Sequence, residues 1–116
     1  MAIQTKGDDY IVSYEQELAT VLCTGLLDLR GKEGYADLSL LLDEVVKANH
    51  SLTTLDLRKL EFLNSSGITT IGGFLIKMRD GGNKALRVLC SDRFTWQSRS
   101  MQGLKRLLPE MSIEFE

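Results

Sequence analysis

The side chains with the clearest capacity for polar chemistry are three consecutive residues, Asn64, Ser65 and Ser66, which precede Gly67. Asn and Ser oxygens accept hydrogen bonds from the free N–H groups at a helix start, so each of the three is an N-cap candidate. The same free N–H groups and the helix dipole also attract anions. The spacing therefore predicts a helix start here, and residues 64–67 (the 64–67 loop) are the candidate functional loop.

Residues that could support catalysis elsewhere are sparse. His50 is the single histidine, and a nucleophile–base pair would depend on it. It follows a predicted helix end, where we expect it to cap the last carbonyls. Cys23 and Cys90 lie in apolar runs and are expected to be buried free thiols. The sequence lacks a phosphate-binding loop and a dinucleotide-binding glycine pattern, and it predicts neither an enzyme nor a metal or cofactor site.

Hydrophobic periodicity predicts the elements that position the loop. The predicted strands cover residues 10–14, 18–29, 52–57 and 85–90, with a strand or tail at 111–115. Residues 30–34 are predicted to form a loop. The predicted helices start near Asp37, Ser66 and Asp92. The β-α-β alternation after two initial strands favours an α/β domain with a largely parallel sheet. The expected buried residues are Leu41, Val45, Leu55, Leu57, Ile71, Leu75, Val88 and Leu104.

The helix after the 64–67 loop has two contrasting faces at 100° per residue. The inner face carries Ile68, Ile71, Leu75 and Met78. The opposite face carries Ser66, Thr69, Thr70, Gly73 and Lys77. A glycine within a helix costs about 1 kcal/mol relative to alanine, and exposed helix faces usually carry Glu and Lys. This low-profile face therefore indicates close approach of a partner protein, with a tolerated glycine of no importance as the structural alternative.

Length and charge limit the function classes. With 116 residues and a net charge of −2, the chain is predicted to be one domain over residues 1–116. A duplex-binding domain is usually basic, so nucleic-acid binding is not expected. The first residues lack the apolar core of a signal peptide, and no run approaches the ~18 apolar residues needed to span a bilayer. We therefore expect a cytoplasmic protein that does not bind a membrane.

Three ordered segments together resemble the STAS domain family of sulphate-transporter tails and bacterial anti-sigma factor antagonists. Residues 25–28 (Gly-Leu-Leu-Asp) resemble the family's G-x-L-D. Residues 55–57 and 62–68, which include Asn-Ser-Ser-Gly-Ile, resemble its strand and D-S-S-G-[LIV] motif. Residues 103–107 (Gly-Leu-Lys-Arg-Leu) resemble its G-L-x-x-[LIV]. The resemblance covers nearly the whole chain, with one departure: Asn64 stands where the motif has Asp.

The resemblance implies a fold and a regulatory function. The family fold is a mixed, largely parallel β-sheet with helices packed on one side. Its anti-sigma factor antagonists switch partners in signal transduction and transcription regulation, binding a serine kinase that is also an anti-sigma factor until they are phosphorylated, and a phosphatase resets them. The matching phosphorylation site is Ser66, with Ser65 as the alternative. The candidate partner-binding residues are Asp28, Thr69, Thr70, Gly73 and Lys77.

Two other functions remain open from the sequence. The first is a constitutive STAS scaffold that binds a partner without phosphorylation, which Asn64 favours because the motif's negative charge is missing. The second is a small-molecule-binding module that uses the anion-attracting helix start at the 64–67 loop.

Overall fold

The computed structural model describes residues 2–82 and 85–116. Its strands are β1 (Ala2–Lys6), β2 (Tyr10–Glu15), β3 (Thr20–Leu27), β4 (Thr53–Leu63), β5 (Leu86–Cys90) and β6 (Ser112–Phe115). Its α-helices are α1 (Gly31–Gly34), α2 (Ala36–Ala48), α3 (Ser65–Asp80) and α4 (Thr95–Leu104). None of these helices has the length and apolar character needed to cross a bilayer.

The strands form one six-stranded sheet in the order β1-β2-β3-β4-β5-β6. The β1/β2 and β2/β3 pairs are antiparallel, and β3 to β6 are parallel neighbours. Short turns suffice between the antiparallel strands, whereas each parallel pair needs a crossover, which α2, α3 and α4 supply. The predicted fold class, an α/β domain with a mixed, largely parallel sheet, is confirmed.

The core lies between one face of the sheet and the helices. Val12 and Tyr14 of β2 are fully buried there, while Ile11 on the other face is 42% exposed, as the two-residue period of a strand requires. The apolar stripes of α2, α3 and α4 join this same cluster. The eight residues predicted to be buried are all buried, at 8% exposure or less: Leu41, Val45, Leu55, Leu57, Ile71, Leu75, Val88 and Leu104.

Three local predictions were wrong. The edge strand β1 was not predicted, and residues 31–34, predicted as a loop, form the short helix α1. The third major helix starts at Thr95 and not near Asp92, because the Ser91 hydroxyl accepts a hydrogen bond from the Arg93 N–H within the preceding turn. The final segment, left open as a strand or a tail, is a strand paired in parallel with β5.

Strand β4 is longer than predicted because it contains an irregularity. It continues to Leu63, and its pairing with β3 shifts register twice, between Leu22 and Thr24 and again between Gly25 and Leu26 of β3. The buried Gln97 of α4 spans this region, where its Nε2 donates to the carbonyls of Leu57 at 2.6 Å and Leu60 at 2.9 Å. The extension of β4 carries the 64–67 loop to the edge where β3 also ends.

Candidate functional site

The 64–67 loop lies at the carboxyl end of two parallel strands. Leu27 of β3 pairs with Leu63 of β4, so the next residues, Asp28 and Asn64, leave the sheet side by side. The Asn64 N–H donates to the Leu27 carbonyl at 3.1 Å, which holds the two strand ends together. Strand order thus brings together two predicted site residues that are far apart in sequence.

Asn64 is the N-cap of α3 and the centre of a hydrogen-bond network. Its Oδ1 accepts from the Gly67 N–H at 3.0 Å and lies 2.6 Å from the Tyr35 hydroxyl. Its Nδ2 donates to the Leu29 carbonyl at 2.6 Å and to Asp28 Oδ1 at 3.1 Å. Both amide protons and both oxygen lone pairs are therefore used. Of the three N-cap candidates, Asn64 is therefore the one that caps α3, and Ser65 and Ser66 are the first two residues of the helix.

The Asn64 network explains the departure from the D-S-S-G motif. A carboxylate at position 64 could still accept from Gly67, but it has no proton to donate to Leu29 or Asp28. Its second oxygen would instead face the Leu29 carbonyl and the Asp28 carboxylate at hydrogen-bond distance. Such a repulsive contact is unfavourable, so Asn64 and Asp28 form a matched pair in this chain.

Tyr35 and Gly67 support the loop from behind. The buried Tyr35 hydroxyl lies 3.0 Å from the Leu27 carbonyl and 2.6 Å from Asn64 Oδ1. Burial raises the pKa of Tyr35, and the charge of Asp28 adds to that rise, so the hydroxyl remains a donor at neutral pH. A Cβ at Gly67 would lie 2.2 Å from Leu63 Cδ1 and 2.7 Å from the Tyr35 oxygen. Glycine is therefore required where α3 meets this support.

The two candidate phosphorylation sites differ in exposure. Ser65 is exposed and Ser66 is half-buried. Their carbonyls accept from the hydroxyls one helical turn later, Ser65 from Thr69 at 3.1 Å and Ser66 from Thr70 at 2.9 Å. No acidic side chain lies in the first turn of α3, so the positive end of its dipole faces the two serines without a compensating carboxylate on that turn.

A groove of about 640 Å³ lies between α2 and α3, starting one turn beyond the serines. One wall is formed by Thr69, Thr70, Gly73 and Lys77 of α3, and the other by Ala36, Ser39, Leu40 and Asp43 of α2. Leu40 is 65% exposed beside the groove, which also contacts the buried Phe74. At one end, Lys77 Nζ forms an ion pair with Asp43 Oδ1 at 2.6 Å. We call this feature the α2–α3 groove.

The structure divides the five predicted partner-binding residues between two places. Thr69, Thr70, Gly73 and Lys77 lie together along the groove, whereas Asp28 lies at the strand end beside Asn64. Sequence reasoning missed the α2 wall. Leu40 could have indicated this wall, because it is a large apolar residue that lies outside the buried face of α2.

His50 and the cysteines have structural surroundings. His50 does not cap α2 as expected, because Asn49 ends that helix in a left-handed conformation and His50 Nε2 lies 2.6 Å from the buried Tyr14 hydroxyl. Burial, with a smaller contribution from Asp56, raises the pKa of Cys23 to about 12 and that of Cys90 to about 11. Within residues 2–82 and 85–116, no three His, Cys, Asp or Glu side chains are placed to hold a metal ion.

Comparison with known proteins identifies the fold and no sequence family. No family model and no curated protein matches the sequence. A chain in the crystal structure of diguanylate cyclase SiaD in complex with its activator SiaC from Pseudomonas aeruginosa matches with a TM-score of 0.74 and 11% identity, over 98% of this chain and 99% of that chain. SiaC of Pseudomonas aeruginosa matches with a TM-score of 0.70 and 13% identity, over 99% of this chain and 95% of that chain. Its apo form gives 0.65 at 13% identity, over 98% of both chains.

This protein has the SiaC fold. The agreement extends over nearly the whole of both chains, so the order of strands and helices is shared and not only a local motif. SiaC is described as the activator of SiaD, with which it forms a complex. At 11% to 13% identity the likeness concerns the fold alone.

Proposed function

We propose that this protein is a regulatory protein that binds a partner protein through the α2–α3 groove and releases it when Ser66 is phosphorylated. The observation that carries the proposal is the position of the groove. Its α3 wall, from Thr69 to Lys77, starts one helical turn after Ser66 and offers short side chains around Gly73. A partner helix or loop can approach such a wall closely.

The expected partner is a signalling protein. The STAS resemblance favours a serine kinase that acts as an anti-sigma factor, with a phosphatase that resets the switch. The fold shared with SiaC adds a second class, since SiaC activates a diguanylate cyclase. Both classes need the same property, an accessible face that a partner protein can bind, and the α2–α3 groove offers one.

Electrostatics supports Ser66 as the controlling residue. A phosphate adds about −1.5 to −2 charge, and at the second residue of α3 this charge meets the positive end of the helix dipole. The fold should therefore tolerate it. A partner seated on Thr69 and Thr70 would instead have to desolvate the dianion, which costs several kcal/mol unless the partner supplies an Arg or Lys.

Substitution of Gly73 tests the groove. An added Cβ at Gly73 meets nothing within 4 Å, so Gly73→Glu should keep the fold and place a charged side chain in the groove. We expect its affinity for a captured, purified partner to fall by at least about tenfold, equivalent to about 1.4 kcal/mol.

The matched control is Gly103→Glu in α4. Gly103 is an exposed helical glycine whose added Cβ also meets nothing within 4 Å, so both variants add one negative charge to a helix without a steric clash, and urea denaturation of both corrects for their different positions in the helix. Unchanged affinity in Gly73→Glu, or equal losses in the two variants, would exclude the groove as the binding site.

The second candidate is a constitutive scaffold that binds through the same groove. The half-burial of Ser66 favours it, because a kinase needs access to the hydroxyl. The intact mass of the chain purified from its native cells distinguishes the two functions. A phosphorylated fraction that maps to Ser66 supports the switch, and its absence under every growth condition supports the scaffold.

A further inference from the structure

We propose that a second surface, on the face of the sheet away from the helices, binds a basic segment of a partner protein, in which an Arg or Lys adjoins an apolar side chain. This surface, the acidic notch, is formed by three carboxylates around an apolar floor and encloses about 580 Å³. The carboxylates are Asp8, Asp9 and Asp28, and the floor is Leu26, Leu29 and Phe62.

The floor exposes two large apolar side chains that are direct neighbours. Leu26 of β3 pairs with Phe62 of β4, and each is 42% exposed. The following residues, Leu27 and Leu63, are buried against the helices, so alternation directs Leu26 and Phe62 to the open face. Leu26 and Phe62 therefore form an exposed apolar area that a partner protein can cover, whereas the helices already cover the other face of the sheet.

The charge around this floor has one sign. No Lys, Arg or His is among the described residues that line the notch. Asp28 is held in place, because its Oδ1 accepts from Asn64 Nδ2, yet the neutral amide leaves its charge uncompensated. A cation is the complementary group, and a guanidinium can also stack on the Phe62 ring. These features together select a basic segment over a neutral or acidic one.

The notch is preformed by the backbone. The β1–β2 turn is pinned to β3, where the Leu26 N–H donates to the Asp9 carbonyl at 2.8 Å. Gly25 permits this contact: its φ is +95°, and a Cβ there would lie 2.1 Å from the Asp9 oxygen. The backbone that carries Asp8 and Asp9 is therefore held in place, so binding of a partner needs little ordering of this turn.

The inference is independent of the α2–α3 groove. The groove and the notch share no lining residue, and the exposed pair of the notch, Leu26 and Phe62, points away from the helices that form the groove. One partner could occupy both surfaces, but each can be tested without the other.

The test is a titration of the ¹⁵N-labelled full chain with the peptide acetyl-Leu-Arg-Arg-Leu-amide, followed by NMR. We expect saturable shifts of the Gly7, Leu26 and Phe62 amides, and none with the neutral peptide acetyl-Leu-Gln-Gln-Leu-amide. The double variant Asp8→Asn/Asp9→Asn should weaken binding by about three- to tenfold, because two partly exposed charge pairs are lost.

A control variant with the same change of net charge is Asp92→Asn/Glu114→Gln, which alters exposed carboxylates at the β5–β6 edge of the sheet and should bind normally. Equal weakening in both double variants, or equal shifts with the neutral peptide, would overturn the proposal. Shifts of the same amides on raising the protein concentration alone would assign the notch to a second copy of this chain and also overturn it.

Discussion

Two strand-to-helix turns of this fold both begin with a side chain that accepts a hydrogen bond from a nearby backbone N–H, but different contacts stabilise them. Asn64 joins β4 to the first turn of α3, which contains the rest of residues 64–67, and residues 91–94 join β5 to α4. At the first turn the capping side chain is Asn64, half-buried and followed by the exposed Ser65. At the second turn Ser91 is buried, and its N–H donates to Oε1 of the fully buried Gln97 at 2.8 Å.

The difference separates a turn whose polar side chains are enclosed by the protein from one that keeps polar side chains at or near the surface. Gln97 joins the second turn to two β4 carbonyls, so its polar atoms are used inside the protein. The first turn is fixed from behind by Asp28 and Tyr35, which leaves the two serines on the outer side of the helix start. The first turn therefore combines a fixed backbone with one exposed hydroxyl, Ser65, and one half-buried hydroxyl, Ser66, and such rigid support is what the proposed binding site requires.

Loss of Gln97 should have the largest effect on stability. Gln97→Ala removes three buried hydrogen bonds, those to the Leu57 and Leu60 carbonyls and to the Ser91 N–H, and an alanine can replace none of them. We expect the free energy of unfolding to fall by about 3 kcal/mol, measured by urea denaturation. A loss below about 1 kcal/mol would mean that the second turn does not depend on this residue.

Conversion of Asn64 to the motif residue should have a smaller effect. Asn64→Asp replaces two donated hydrogen bonds by repulsion from Asp28 and the Leu29 carbonyl, and we expect about 2 kcal/mol of destabilisation. The partner variant Asp28→Asn should recover part of that loss when combined with it in a double-mutant cycle. Strict additivity of the two changes would show that the pair is not coupled.

The buried thiols predict a still smaller, pH-dependent effect. Cys23 in β3 and Cys90 in β5 have folded pKa values of about 12 and about 11, above the ordinary value of 9.0. Because the unfolded thiols lose their protons first, stability should fall as pH rises above 9, by about 1 kcal/mol for the two thiols together between pH 9 and about pH 9.5. The variant Cys23→Ala/Cys90→Ala should flatten this decline in urea denaturation series. An equal decline in that variant would place its origin elsewhere.

Much of the fold could be predicted from the sequence, because buried residues recur every two positions in the strands and about every 3.6 positions in the helices. The misses have local causes. Strand β1 has little apolar character of its own and forms by pairing with β2. The shift of register in β4 interrupts strand alternation, so its second half resembled a loop leaving the sheet. The start of α4 was misplaced because Ser91 and Asp92 offer capping chemistry that the chain uses in a turn.

The candidate site was predictable in its residues and not in its geometry. Asn64 and Asp28 were each identified from the sequence, but their contact depends on which strands are neighbours. The α2 wall of the groove depends on how two helices pack, which the period of one helix cannot specify. Leu40 and the residues of the acidic notch other than Asp28 were missed because they are brought together only by the packing of separate elements.

The most direct test of the account is the affinity of a purified partner for three forms of the full chain: wild type, Ser66→Ala and Ser66→Asp. Isothermal titration calorimetry should show Ser66→Ala binding like wild type and Ser66→Asp binding at least about tenfold more weakly, equivalent to about 1.4 kcal/mol. All three should have the same melting temperature, because Asn64 caps the helix in each. Equal affinity of Ser66→Asp and wild type, with no phosphate on the native chain, would contradict the switch and leave the constitutive scaffold.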